Sequence, residues 1–97
     1  MTLPQVLEAQ LGPAELEAYL ADLQHVERLT AVVKSGARQH AAEPQRVDIA
    51  QVRDLMEAPG ALQLRYVWEG GEWWDTLFVT HGPIRLVRIQ HPTGQAT

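Results

Sequence analysis

The stretch ALQLRYVWE-GG-EWWDTLFVT-HG-PIRLVRIQ, residues 61–90, decides the fold. Three runs of apolar and polar residues are separated by Gly70-Gly71 and His81-Gly82, and glycine supplies the positive φ that tight hairpins need. The spacing predicts a three-stranded antiparallel meander with strands at about 61–69, 72–80 and 83–90. Two-residue turns at these glycines set Trp68 against Trp73, Val67 against Trp74, Tyr66 against Asp75, and Asp75 against Arg88.

Side chains of a strand alternate between faces, so the turns also sort the residues into two sets. One face carries Leu62, Leu64, Tyr66, Trp68, Trp73, Leu77, Val79, Ile84 and Leu86, and is assigned to the core beneath the helices. The other carries Val67, Trp74, Phe78, Val87 and Ile89 among polar neighbours, which is more apolar than a solvent face requires. These five are the expected partner-binding residues, for a protein partner or a homodimer, with Trp74 as the anchor.

The same register makes one polar row on the core face, Tyr66–Asp75–Arg88. Two readings follow. In the first, Tyr66, Trp73, Asp75 and Arg88 form a ligand-binding site in which Arg88 holds a small anionic molecule and its neighbours orient it. In the second, Asp75 and Arg88 are a cross-strand ion pair that pins the register, with Tyr66 completing its hydrogen bonds.

Upstream of the meander the pattern reads as helical. Pro4 suits a first helical turn, and Leu3, Leu7 and Leu11 recur every four residues, which predicts a helix over about 4–11. Gly12-Pro13 ends it and starts a second, over about 13–35, where Leu16, Tyr19, Leu20, Leu23, Val26, Leu29 and Val33 follow helical spacing and Gly36 ends the run. Asp48 is the expected N-cap of a third helix over about 49–58, closed by Pro59-Gly60. The fold class is therefore α+β, with N-terminal helices packed on a three-stranded meander. The whole chain is one domain, with a frayed tail at 92–97.

In the order helix, helix, helix, hairpin the chain resembles a winged helix, which implies a recognition helix at 49–58 entering the major groove of DNA. That helix offers only Arg53 and Gln51 as readers, beside Asp54 and Glu57, and the hairpin is too apolar to lie on phosphate. Charge argues the same way. The net charge is −4, and all of that excess precedes Lys34, where Glu8, Glu15, Glu17, Asp22 and Glu27 face Arg28 alone.

Ninety-seven residues with 45% apolar and 21% charged side chains support one modest core. There is no cysteine, hence no disulfide, thiolate nucleophile or Cys-based zinc site. No signal peptide or membrane span is legible, so a soluble, cytoplasmic protein is expected. Asp22 and His25 lie one helical turn apart, but no third ligand accompanies them, and His81 and His91 bracket a strand roughly 25 Å long. Ser35 lacks a nucleophile-elbow context, and the glycines show neither Walker A nor dinucleotide-binding spacing. No catalytic residue, metal or cofactor is assigned. The leading function is a non-enzymatic interaction or regulatory module, with small-molecule binding as the alternative.

Overall fold

A computed structural model of the chain describes residues 5–34 and 44–91. The elements run β1 (Gln5–Leu11), α1 (Pro13–Leu23), β2 (Glu27–Val33), β3 (Gln45–Arg46), α2 (Ile49–Leu55), β4 (Gly60–Trp68), β5 (Gly71–Val79) and β6 (Ile84–His91). The six strands form one antiparallel sheet in the order β1-β6-β5-β4-β2-β3, with both helices on one face. The expected meander is present as β4–β5–β6, but it is the middle of a larger sheet. The expectation of three N-terminal helices on three strands is therefore wrong.

Two segments read as helical are strands. Residues 5–11 pair along their whole length with β6, from Gln5 opposite Gln90 to Leu11 opposite Ile84. A four-residue repeat is an even number, so Leu7 and Leu11 share one face of a strand as readily as one side of a helix. The long second helix stops at Leu23, where Gln24 and His25 donate back to Ala21 and Asp22 in a tightened last turn. Arg28 then takes a positive φ of 57° and the ladder to β4 is interrupted between Glu27 and Thr30. Beyond that bulge, Thr30, Val32 and Val33 are β-branched, favour extended backbone and fill the edge of β4 that would otherwise lie open. The expected helix end at Gly36 and the frayed tail at 92–97 lie outside the described residues.

The third helix is present, shorter than expected, at Ile49–Leu55. Asp48 caps it through a reciprocal pair: Gln51 donates its backbone N–H to Asp48, and the Asp48 N–H donates to the Gln51 side chain, both at 2.8 Å. α1 opens with Pro13 at its first position, as the Gly12-Pro13 pair predicted.

The first hairpin turns one residue earlier than the glycine pair suggested. Glu69 and Gly70 form the turn with φ of 52° and 78°, a pair of positive values that a type I′ turn demands, while Gly71 joins β5 opposite Trp68. The pairing accordingly moves by two residues: Tyr66 faces Trp73, Arg65 faces Trp74 and Leu64 faces Asp75. A shift of two keeps every side chain on its predicted face. In the second hairpin Asp75 does face Arg88, although the strands end at Val79 and Ile84.

The core lies between the helices and the expected face of the sheet. Leu20 and Leu23 of α1 and Val52 of α2 pack with Leu62, Leu64, Leu77 and Leu86, and Trp73, Val79 and Ile84 are partly buried against them. Trp68, placed on the same face, sits at the end of β4 and is exposed.

Candidate functional site

The polar row sits inside this core and has a fourth member that sequence reasoning missed. Asp75 has no exposed surface. Its Oδ1 accepts from Arg88 Nε at 2.8 Å. Its Oδ2 accepts from Arg88 Nη2 at 3.0 Å, from the Tyr66 hydroxyl at 2.7 Å and from the Tyr19 hydroxyl at 2.8 Å. Tyr19 comes from α1, so this carboxylate ties the helix to β4, β5 and β6. Tyr66 reaches it diagonally, because Leu64 rather than Tyr66 is the residue opposite Asp75. The signal for Tyr19 was present: an inward-facing tyrosine in a helical stripe needs a partner for its hydroxyl.

Electrostatics follows from this geometry. Burial raises the Tyr19 hydroxyl well above the ordinary tyrosine range, and the neighbouring Asp75 charge raises it further. Tyr66 is raised for the same two reasons in the same order. Arg88 is held more firmly charged by its hydrogen bonds to Asp75. Both tyrosines therefore stay protonated as donors, and all four of their and the arginine's bonds end on one carboxylate. Such a cluster is chemically quiet: Asp75 has neither a free oxygen nor exposure with which to act on a substrate.

Of the four residues assigned to a ligand, Tyr66, Asp75 and Arg88 come together as described. Trp73 lies beside them with its ring centroid 5.6 Å from the Arg88 guanidinium carbon. A cavity of about 370 Å³ adjoins the cluster, lined by Tyr19, Asp22, Leu23, His25, Val26, Tyr66, Trp68 and Arg88. Asp75 and Trp73 do not line it. Asp22 and His25 share the wall, but no group of three potential metal ligands occurs among the described residues.

The five residues assigned to a partner occupy the sheet face away from the helices. Their arrangement differs from the expected register, which set Val67 against Trp74, because Val67 lies opposite Glu72 and Arg65 lies opposite Trp74. The Arg65 guanidinium rests 3.9 Å from the Trp74 ring centroid and donates through Nε to Gln63 at 2.8 Å. Trp74 Nε1 donates to Glu72 at 2.7 Å, and the His91 ring lies 4.2 Å away, centroid to centroid. Arg85 reaches over Phe78 at 5.3 Å while pairing with Glu8. Trp74, Val67, Val87 and Ile89 are half-buried and Phe78 is exposed. Guanidinium groups thus lie as thin covers on aromatic rings where no described helix packs.

The described residues form two helices on a six-stranded sheet, which is not a winged helix, and Arg53, the expected reader, is held by Nη1 and Nη2 on Glu17 at 2.9 and 2.7 Å. No helix among the described residues is long and apolar enough to cross a membrane. Comparison with protein-family models, with curated proteins and with solved structures finds no match in any of the three.

Proposed function

We propose that this chain is a cytoplasmic interaction module that binds a protein partner through the sheet face on which no described helix packs. The observation that supports this is the Trp74 patch. An indole, three half-buried aliphatic side chains and an exposed phenyl ring lie on a face where no described helix packs, with Arg65 and Arg85 lying over two of its rings. Arginine and aromatic side chains are the types that dominate binding energy at interfaces, and a guanidinium can leave a ring for a partner's carboxylate without disturbing the fold. The ligand reading is weaker, because Asp75 is filled by its own neighbours. It rests on Arg88, which lines the cavity while its Nε and Nη2 are engaged by Asp75.

The test compares wild type with Trp74→Asp as bait in a pull-down, followed by solvent-exchange footprinting of the purified complex. A partner captured by the wild type, lost by a variant of unchanged melting temperature and protecting β4–β6 on the open face supports the proposal. Capture that survives Trp74→Asp, or protection elsewhere, removes it.

A further inference from the structure

The two edges of the sheet are unlike. β3 is two residues long, both exposed, whereas β1 is an unbroken seven-residue strand with no proline, no lysine and no bulge in its pairing to β6. Long flat edges of this kind are usually blunted, because their outward N–H and C=O groups are a template for another strand. The one charge on β1, Glu8, is already paired to Arg85 at 2.9 Å. Leu7 is 55% exposed although it stands on the core side of the sheet, where its register partner is Arg88.

The sequence of this edge is self-complementary. Residues 7–11 read LEAQL, nearly the same in both directions, since glutamate and glutamine have one shape. We propose that two copies of the chain associate through their β1 edges, antiparallel and centred on Ala9. In that register Ala9 faces Ala9 of the second copy at the two-fold axis. Leu7 packs against Leu11 on the helix side, and the Gln10 amide meets the Glu8 carboxylate on the open side. Only pairings that keep inward residues on one side are allowed, and centring on Glu8 instead would set two carboxylates directly opposite each other, which is unfavourable. The small side chain at Ala9 also permits the close approach at the axis.

The two-fold axis then runs perpendicular to the sheet. Both pairs of helices lie on one side, the six-stranded sheet doubles, and the two Trp74 patches face the same direction. A C2 contact of this kind closes on itself and consumes the β1 edge, so it does not propagate through that edge. The proposal concerns the edge and does not rest on the reading of the open face.

The experiment is sedimentation equilibrium of the full chain from micromolar to millimolar concentration, for wild type, Leu7→Lys and Trp74→Asp. Leu7 is exposed and outside the core, so its replacement leaves the fold intact, as circular dichroism would verify. A wild-type dimer weakened at least about tenfold by Leu7→Lys, equivalent to about 1.4 kcal/mol, is the expected result. The chain has no cysteine, so Ala9→Cys introduces a unique thiol at the axis, with Gln45→Cys on the opposite edge as its control. Faster formation of a disulfide dimer by Ala9→Cys than by Gln45→Cys supports the register. A monomer at every concentration overturns the proposal, as does a dimer indifferent to Leu7→Lys. A dimer lost only in Trp74→Asp would place the contact on the open face, overturning this inference while leaving the previous one standing.

Discussion

Replacing Arg88 by methionine separates the two readings of the polar row most sharply. Methionine keeps an unbranched, largely apolar stem near Trp73 but removes both hydrogen bonds to Asp75, at 2.8 and 3.0 Å. Asp75 is then a fully buried carboxylate with two tyrosine donors on Oδ2 and none on Oδ1. Breaking a buried pair by removing one partner costs about 3–5 kcal/mol. The Arg88 side chain is 29% exposed, so water already screens part of the attraction and the lower figure, about 3 kcal/mol, applies. For a domain of this size that lowers the melting temperature by about 12–24 °C. Urea unfolding followed by fluorescence of the three tryptophans measures it directly. Arg85→Met is the control. Its ion pair with Glu8 is more than half exposed on both sides, and its loss should cost no more than about 1 kcal/mol. If Arg88→Met is as mild as the control, Asp75 does not depend on Arg88 and the row is not a structural pin.

The chain has only two tyrosines, Tyr19 and Tyr66, and both are held protonated by burial and by Asp75. Their raised values stabilise the fold fully below the ordinary tyrosine pKa of about 10, and that contribution is lost as pH rises through the folded-state values. The tyrosinate absorbance should therefore appear only together with alkaline unfolding; a phenol titrating near pH about 10 in an intact fold would contradict the geometry. Among the glycines, Gly70→Ala should cost about 1–2 kcal/mol, since Gly70 holds a φ of 78° in the β4–β5 turn with open space around its Cα. Gly82→Ala, equally uncrowded but without positive φ, should be close to neutral by thermal melting.

How much of this was legible depends on whether local pattern and tertiary context agree. Where a segment carries its own register marks, reading succeeded: the alternation of 61–90, the Asp48 cap and the Asp75–Arg88 pairing all depend on residues near in sequence. Reading failed at residues 5–11, where leucines four apart satisfy both periods, and pairing with β6, some eighty residues away, decides between them. It failed again after Leu23, where helical spacing continued through Val26, Leu29 and Val33. The β-branched Thr30, Val32 and Val33 were the contrary signal, and the vacant edge of β4 gave it effect. The candidate residues were sorted to the correct faces because the error in the first turn was an even one. Their neighbours were not, and so Arg65 rather than Val67 lies against Trp74.

The pairing of the first described strand with the last has a consequence for how the molecule assembles. Strands β4, β5 and β6 are contiguous and close by short turns, and the Asp75–Arg88 pair can form within them alone. β1, however, has no place to dock until β6 exists, and the Tyr19 bond to Asp75 requires α1 to arrive across the same face. During synthesis β1, itself ambiguous between two conformations, is thus held in suspense until β6 has been made. Contacts spanning so much of the chain slow folding by the loop entropy they must close. The described sheet is therefore completed from β6 backwards, with β1, made before the other described strands, among the last to be seated.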